Sequence, residues 1–255
     1  MLPLLVDLDG VLRINKKPAP HVEHFMNYLN ESKRPACMIS NSTLSTVEDV
    51  AEFFSFHEIE CKIPIMTAAS AAAIYAKQNY RRVAVYCIDK VRRIFAEILD
   101  YDNPQAVIIG DYGKRWDFKT MNDIYRKVSG GADLIAMHKK RVWETMEDGI
   151  LLDVGPFVVA IEYATGKKAS LIGKPSPLYF KSALKLLGYP EDSKFIMIGD
   201  DLETDIKGAQ NLGAKTILTY TGKTKNIIPE DSEIKPDYEA QNLDDVLRIL
   251  ETEKF

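Results

Sequence analysis

The chain lacks the features that would assign it at once to several large protein classes. Of its 255 residues, only 3 are cysteine and 4 are histidine. No two cysteines form a C-x-x-C pair, which excludes a cysteine-based zinc knuckle and a dithiol redox motif. No apolar run approaches the ~20 residues that a membrane-spanning helix needs. The sequence therefore predicts neither a disulfide framework nor a membrane protein.

A basic surplus is also missing. Lysine and arginine number 33 against 37 aspartates and glutamates, which gives a formal net charge of −4. Binding to nucleic acid depends on neutralising phosphates with basic side chains, so no nucleic-acid partner is expected. The stretch Met1–Asp9 is too short, and turns acidic too soon, for a secretory signal peptide. With three scattered cysteines, these observations predict a protein of the reducing cytoplasm.

The pattern of apolar residues predicts an α/β fold. Hydrophobic residues make up 46% of the chain, enough to bury a sizeable core. Short apolar runs without polar alternation alternate with amphipathic helical stretches; the clearest runs are Leu2–Val6, Ala36–Ile39 and Phe195–Ile198. Such runs are typical of strands buried on both faces, hence of a parallel sheet covered by helices. The middle, about 88–170, has its own alternation and is long enough for a small second domain inserted into the first.

Four segments at or near predicted strand ends carry chemically distinct residues, and ligands of such sheets bind outside the carboxyl ends of the strands. The segments are Asp7-Leu8-Asp9-Gly10, Ser40-Asn41-Ser42, Gly173-Lys174-Pro175 and Gly199-Asp200-Asp201-Leu202-Glu203-Thr204-Asp205. If the strands are parallel, five acids crowd one crevice, at a high electrostatic cost unless a cation intervenes. Oxygen ligands alone favour Mg²⁺. Sites that catalyse phosphoryl transfer combine such groups around one anion: acids, Mg²⁺, a lysine and a hydroxyl.

Each motif taken alone has a simpler structural interpretation. An Asp-Leu-Asp-Gly run is an ordinary acidic turn, Ser40-Asn41-Ser42 suits a helix cap, and Lys174 alone suits a solvated surface. His21 and His24 are close in sequence but have no third ligand nearby, so a metal role is not favoured for them. The functional interpretation rests on the order of the four motifs and on their positions at strand ends.

These motifs resemble those of the haloacid dehalogenase (HAD) superfamily of phosphohydrolases. Asp7-Leu8-Asp9-Gly10-Val11 is similar to its first motif, Ser40-Asn41 to its second, Lys174 to its third, and Gly199-Asp200-Asp201 with Asp205 to its fourth. Three further stretches resemble subclass IIA, the NagD-like and nitrophenylphosphatase branch; they are Leu152–Phe157, Glu162–Gly166 and Ile172–Pro177. The resemblance covers nearly the whole chain.

The resemblance implies a Rossmann-like core with an inserted type C2 cap. It places the core at 1–87 and 171–255 and the cap at 88–170. It implies a Mg²⁺-dependent phosphohydrolase that releases phosphate from a small phosphorylated metabolite through an aspartyl-phosphate. Homodimers held by the cap occur in this branch, so a homodimer is a possible assembly.

The resemblance also assigns roles to individual residues. Asp7 would be the nucleophile, and Asp9 would protonate the leaving oxygen and then activate water. Mg²⁺ would be held by the Asp7 carboxylate, the Asp9 backbone carbonyl and the Asp200 carboxylate. The phosphoryl oxygens would be bound by Ser40, Asn41 and Lys174, while Asp201 and Asp205 would orient metal-bound water and Lys174.

One stretch departs from the branch pattern. Many members carry an Asn-x-Asp signature after the cap strand, where this chain reads Ala136-Met137-His138-Lys139-Lys140-Arg141. The departure weakens any transfer of specificity for nucleotide or sugar phosphates. The basic run Lys139–Arg141 either attracts an anionic leaving group or is a solvated cap edge, and the second interpretation is favoured. His138 is expected to be structural.

Two other function classes remain open at this point. A phosphoacceptor signalling domain also uses acids, a hydroxyl and a lysine at strand ends, although Asp9 and the long insertion speak against it. A catalytically silent phosphate-binding protein is the second alternative, and the intact acids and lysine disfavour it. Turnover of p-nitrophenyl phosphate separates both from a phosphatase.

Overall fold

The structure, a computed structural model, describes residues 1–145, 148–224, 228 and 232–253. Its strands are, in chain order, β1 (Leu4–Asp7), β2 (Arg13–Ile14), β3 (Lys17–Pro18), β4 (Ala36–Ser40), β5 (Ile65–Thr67), β6 (Val83–Tyr86), β7 (Ala106–Ile109), β8 (Asp133–Ala136), β9 (Val142–Thr145), β10 (Gly149–Leu152), β11 (Ser170–Leu171), β12 (Ile196–Gly199), β13 (Lys215–Thr219) and β14 (Tyr238–Ala240). Its α-helices are α1 (Val22–Glu31), α2 (Val47–Phe56), α3 (Ala68–Asn79), α4 (Asp89–Arg92), α5 (Phe118–Ser129), α6 (Val154–Thr165), α7 (Pro177–Leu186), α8 (Gly208–Gln210) and α9 (Leu243–Thr252). Tighter 3-10 turns cover Arg93–Ile98 and Gly113–Arg115, and a wider π-type turn covers Leu202–Lys207. None of the helices in these ranges is both long and apolar enough to cross a membrane.

The first compact unit comprises 1–40, 47–66 and 174–255 and is built on a six-stranded sheet with the order β14-β13-β12-β1-β4-β5. The central strand β1 pairs in parallel with both β12 and β4. Leu4, Leu5 and Val6 are completely buried, because apolar side chains on both faces of β1 gain about 2 kcal/mol each by leaving water. This explains why the strand carries no polar alternation.

The strand order reverses beside β1. The chain moves from β1 to β4 and β5 on one side, and later adds β12, β13 and β14 on the other. In open parallel sheets, the crevice at such a switch point is where ligands bind. The fold therefore brings the ends of β1 and β12, Asp7 and Gly199, to the position expected for a site.

Helices α1, α2 and α9 bury their apolar stripes in one core cluster with β1. Apolar residues at the spacing i, i+3, i+4, i+7 predict an amphipathic helix here, and the burial of all four side chains on α1 confirms it; they are Val22, Phe25, Met26 and Leu29. Amphipathic helices of this kind are stabilised mainly by that packing rather than by intrinsic propensity.

The second unit comprises 41–46 and 67–173. Its centre is a parallel sheet with the order β11-β8-β7-β6, and a separate antiparallel pair joins β9 to β10. Helices α5 and α6 contribute Ile124, Val128, Val158 and Ile161 to the core of this unit. Two parallel sheets, each accompanied by helices, confirm the predicted α/β class.

The bounds of the second unit differ from those expected for the cap, which were 88–170. Val83–Tyr86 was expected in the core, but it pairs with Ala106–Ile109 in the second sheet. Helix α3 also belongs to the second unit. The reason is that a short, wholly apolar strand has the same pattern in either sheet, so the pattern indicates burial without indicating the partner strand.

His138 is a neutral structural residue of the second unit. Its Nδ1 accepts the backbone N–H of Lys140 at 3.2 Å, and its Nε2 lies 3.4 Å from the Thr43 hydroxyl oxygen. Burial, aided by the nearby Lys140 charge, lowers the pKa of His138 to about 4. The imidazole therefore ties 41–46 to the end of β8 without carrying charge.

This buried imidazole predicts a loss of stability in acid. The pKa of about 4 in the folded protein lies below the usual histidine value of 6.5. The stability that neutral His138 contributes is therefore complete above pH 6.5 and is lost as the pH falls towards 4. Between pH 7.5 and 4.5 we expect wild type to lose about 2–3 kcal/mol that the His138→Gln variant does not lose. Urea denaturation at both pH values measures this difference. His24→Gln, on an exposed side chain, is the control; equal slopes for wild type and His138→Gln would contradict the prediction.

Candidate active site

Three buried carboxylates meet at the carboxyl end of the main sheet. Asp7 ends β1, and Asp200 and Asp205 follow β12. One oxygen from each of the three lies within 4.8 Å of the others. Their exposed fractions are 6%, 5% and 0% in that order. The convergence that the sequence predicted for these three acids is thus present in the structure.

Lys174 supplies a positive charge to this cluster. Its Nζ lies 2.8 Å from Asp7 Oδ1 and 2.7 Å from Asp205 Oδ1. The lysine is 3% exposed, so the ion pairs are shielded from water. A buried network of this kind is costly to break, because removing one partner leaves the others as unpaired buried charges.

Asp205 is held from two sides. Its Oδ1 pairs with Lys174, and its Oδ2 accepts the backbone N–H groups of Asp200 and Asp201, each at 3.2 Å. A Cβ added to Gly199 would lie 2.5 Å from Asp205 Cβ, so only glycine allows β12 to approach the acid this closely. The arrangement makes Asp205 an orienting group for Lys174.

The pKa values of the cluster are set first by burial and then by the neighbouring charges. Burial raises the pKa of Asp7 well above its usual range despite Lys174, and Asp205 and Asp200 raise it further. Burial and the Asp205 charge raise the pKa of Asp200 to about 6. Burial lowers the pKa of Lys174, but the charges of Asp205 and Asp7 outweigh this effect and raise it overall. A cation with oxygen ligands would relieve the remaining repulsion.

The loop after β13 contacts the Asp200 carboxylate from one side. The sequence motifs did not indicate this role of the loop. The backbone N–H of Lys223 donates to Asp200 Oδ2 at 2.5 Å, and the Lys223 side chain pairs with Asp201. A Cβ on Gly222 would lie 2.1 Å from Asp200 Oδ2, and one on Gly10 would lie 2.2 Å from it. Gly10 also has a φ of +97°, which side chains rarely adopt. The two glycines leave room for the carboxylate.

Asp9 and Ser40 form a second group of contacts. The Ser40 hydroxyl donates to Asp9 Oδ2 at 3.1 Å. Arg13 donates to Asp9 Oδ1 through Nε at 2.9 Å and pairs through Nη2 at 2.8 Å. The Asp9 side chain is 51% exposed, unlike the three buried acids. Arg13 was not among the predicted site residues.

Tyr179 fixes the end of β4 at Ser40. The phenol oxygen accepts the Ser40 backbone N–H at 3.0 Å and lies 2.7 Å from Ser40 O and 2.8 Å from Met66 O. The ring is completely buried, and burial raises the pKa of its hydroxyl. Tyr179 therefore stays protonated and can donate to one of the two carbonyls.

Asn41 and Asp201 have environments unlike those of the buried acids. Asn41 is grouped with the second unit, where its Oδ1 leaves no room for a Cβ on Gly173. Its role as a phosphate ligand stays a prediction. Asp201 caps the following helical turn, because its Oδ1 accepts the N–H groups of Glu203 and Thr204 at 3.0 and 3.1 Å.

The basic run after β8 contains a structural ion pair. Lys139 Nζ lies 2.8 Å from Glu162 Oε2, and Glu162 also accepts the Ala169 N–H at 2.9 Å. Lys140 and Arg141 are exposed. Lys139 therefore forms an ion pair with a buried acid, whereas Lys140 and Arg141 fit the solvated edge that the sequence favours.

Two family models match the chain. The model described as haloacid dehalogenase-like hydrolase matches residues 4–98, and the model described as HAD-hydrolase-like matches residues 171–246. Together they cover the segments that carry the four predicted motifs.

Comparisons with individual proteins extend the match over most of the chain. Haloacid dehalogenase-like hydrolase domain-containing protein 2 from Bos taurus is 35% identical over 221 residues, covering 86% of this chain and 84% of that protein. Phospholysine phosphohistidine inorganic pyrophosphate phosphatase from Homo sapiens is 36% identical over 199 residues, covering 77% and 71%. The structure of a p-nitrophenyl phosphatase from Archaeoglobus fulgidus is 24% identical and matches with a TM-score of 0.87 over 96% and 98%.

Proposed function

The chain belongs to the haloacid dehalogenase-like hydrolase family, and from that premise we propose a Mg²⁺-dependent phosphatase. It would release inorganic phosphate from a small phosphorylated metabolite through an aspartyl-phosphate on Asp7. The observation that carries the proposal is the buried cluster of Asp7, Lys174 and Asp205, with Asp200 beside it, at the switch point of the sheet. No purely structural need explains three buried acids around one lysine, because well-packed apolar residues would be at least as stable there.

In the first step, a carboxylate oxygen of Asp7 attacks phosphorus. The bond from phosphorus to the leaving oxygen breaks, and its electron pair goes to that oxygen. Asp9, in its protonated form, gives a proton to the leaving oxygen, so the alcohol departs neutral. Lys174 binds a phosphoryl oxygen and holds the group in line, with Asn41 as a further ligand. The Ser40 hydroxyl donates to the Asp9 carboxylate in the structure, and it donates to a phosphoryl oxygen when Asp9 is protonated.

In the second step, water attacks the phosphorus of the acyl phosphate. Asp9, now a carboxylate, accepts the proton of that water, and the bond between phosphorus and Asp7 oxygen breaks. The electron pair returns to Asp7, phosphate leaves, and Asp9 is again protonated for the next cycle. One carboxyl group thus serves as acid and then as base.

The ligand atoms available at this site fit Mg²⁺, because all of them are oxygens. The buried acids also carry more negative charge than Lys174 offsets. The carboxylates of Asp7 and Asp200 and the backbone carbonyl of Asp9 would hold the ion. When bound, Mg²⁺ neutralises charge on the nucleophile and on the phosphoryl oxygens. Asp201 would orient metal-bound water from its position in the helix cap.

Metal removal tests the proposal. We expect EDTA to reduce p-nitrophenyl phosphate turnover to background and Mg²⁺ to restore it. Because Mg²⁺ would bind only the folded site, saturation at about 100 times its Kd is expected to stabilise the fold by about 3 kcal/mol. The Asp200→Asn variant should show neither effect. A phosphorylated protein that accumulates without releasing phosphate would instead support the phosphoacceptor alternative and overturn the proposal.

The proposed substrate class is a small phosphorylated metabolite. One relative is named for phospholysine, phosphohistidine and inorganic pyrophosphate, so P–N and P–O–P bonds join phosphate esters as candidates. Phosphate release from a broad panel of phosphorylated metabolites in Mg²⁺ tests this class. Activity confined to phosphoproteins would contradict it.

We further propose a homodimer formed through the β9–β10 pair. Val142, Ile150 and Leu152 are 52%, 72% and 62% exposed and lie on one face, because Val142 pairs with Leu152 and Ile150 lies two residues away. An exposed apolar patch is typical of an interaction surface. Sedimentation equilibrium should give twice the chain mass of 28.8 kDa, and Ile150→Glu should shift it to the monomer; a monomeric wild type would contradict the proposal.

We propose a cytoplasmic location because the cysteine thiols are free. Cys37, Cys61 and Cys87 are all free, and burial raises the pKa of Cys37 and Cys87 to about 12. Buried, protonated thiols behave as small apolar side chains and persist in a reducing compartment. Cell fractionation tests the location, and recovery only from an oxidising compartment would contradict it.

A further inference from the structure

Arg13 lies at the end of a closed turn that begins beside Asp9. The Gly10 N–H donates to Arg13 O at 2.8 Å, and the Arg13 N–H donates to Leu8 O at 2.8 Å. These two hydrogen bonds fix the backbone of Arg13 relative to the Asp7–Asp9 segment. The side chain therefore starts from a defined position only four residues after Asp9.

The guanidinium is more buried than the carboxylate that it contacts. The Arg13 side chain is 16% exposed, whereas Asp9 is 51% exposed. The guanidinium carbon lies 5.3 Å from the centre of the Phe53 ring, a cation–π contact that a lysine would make less well. Two nitrogens, Nε and Nη2, converge on Asp9 Oδ1 at 2.9 and 2.8 Å.

Ser40 completes the arrangement from the other side. Its hydroxyl donates to Asp9 Oδ2 at 3.1 Å, and its backbone is in turn held by Tyr179 at 3.0 Å. Each oxygen of Asp9 thus has its own donor on a fixed backbone. An otherwise half-exposed aspartate loses its rotamer freedom through these two contacts.

We propose that Arg13 is a positioning residue for Asp9, an inference that rests on the proposed acid–base role of Asp9. Proton transfer requires the acid within hydrogen-bond reach of the leaving oxygen. A displacement of about 1 Å in such a group costs ~10²-fold in rate. Arg13 acts by holding the Asp9 carboxyl group in one orientation and does not contact the reacting atoms.

Two substrates of similar shape separate positioning from general damage. The leaving oxygen of phenyl phosphate needs a proton, whereas p-nitrophenolate leaves with little help. We expect Arg13→Met to lower kcat/KM for phenyl phosphate by ~10- to 100-fold, with a much smaller loss for p-nitrophenyl phosphate. Arg13→Lys should recover part of the loss, and Lys17→Met, on an exposed side chain of the next strand, should leave both substrates unchanged.

A double-mutant cycle gives the second readout. If Arg13 acts through Asp9, adding Arg13→Met to Asp9→Asn should cause little further loss. Equal losses for both substrates, or additive losses in the cycle, would mean a structural role and overturn the inference. If Arg13→Met does not fold, the same cycle with Arg13→Lys gives the same decision. If the wild type releases no phosphate from either substrate, the proposed function itself is wrong. If the wild type is active and the Arg13 variants have the same activity, only this inference is wrong.

Discussion

Replacing Asp7 by asparagine is expected to lower phosphate release by at least ~10³-fold, because the amide cannot attack phosphorus and no other group in the mechanism replaces the nucleophile. The fold should survive the change. Burial and the neighbouring Asp205 and Asp200 raise the pKa of Asp7 although Lys174 opposes them, so the ionised form costs folding free energy at pH 7. The neutral amide removes that cost in the absence of Mg²⁺. Turnover of p-nitrophenyl phosphate and urea denaturation measure the two effects separately.

The matched control for this change is Asp192→Asn, which alters an exposed acid by the same atoms. It should leave both turnover and the free energy of unfolding unchanged, since isolated surface substitutions usually have small effects. Undiminished turnover in Asp7→Asn would remove Asp7 from the mechanism, whatever the stability result.

Replacing Lys174 by methionine is expected to have the largest effect on stability. The variant leaves Asp7 and Asp205 without the ammonium that lies 2.8 and 2.7 Å from them. Breaking a buried ion pair by removing one partner costs about 3–5 kcal/mol. Turnover should fall as well, because Lys174 is proposed to bind the phosphoryl group. Urea denaturation without metal measures the loss of stability.

Lys185→Met, on the exposed surface of α7, is the control for the lysine change. Added Mg²⁺ should restore part of the stability of Lys174→Met but not its full activity, because a divalent cation can offset the acids without replacing the phosphate contact. A loss below about 1 kcal/mol, the usual range of surface ion pairs, would show that the lysine is not a buried counter-ion.

The order of the motifs was enough to predict which acids converge. Asp7 and Asp200 each follow a short apolar strand, and the carboxyl ends of neighbouring parallel strands must share one edge. Lys174 was predicted to join them, and it does so although 167 residues separate it from Asp7. The prediction succeeded because runs that lack polar alternation are typical of parallel sheets, in which all strands point the same way.

The supporting residues could not be predicted in the same way. Arg13, Tyr179 and Lys223 contact site residues through side-chain reach and loop closure, which no short pattern specifies. Arg13 lies four residues after Asp9, and that spacing alone has no structural meaning outside a helix. Tyr179 lies in the first turn of α7, where its position matches that of any buried core residue of a helix.

The prediction of secondary structure was wrong where tertiary pairing overrode the helical pattern. The apolar pattern of Val91–Leu99 predicts one continuous helix, but the chain forms α4 and then a 3-10 turn over Arg93–Ile98. The Asp100 N–H then donates to Val83 O at 2.9 Å, so the chain must tighten to return beside β6. The sequence pattern did not indicate strands β9 and β10, most of whose apolar residues are exposed rather than buried.

The charges around Lys174 also determine the order in which ligands can enter. When the three carboxylates and the ammonium are all ionised, they carry two negative charges together in a pocket from which water is largely excluded. A phosphate dianion approaching these residues alone meets net repulsion, whereas a divalent cation brings the sum to zero. For the proposed mechanism we therefore expect ordered kinetics, in which the cation binds before the phosphorylated substrate.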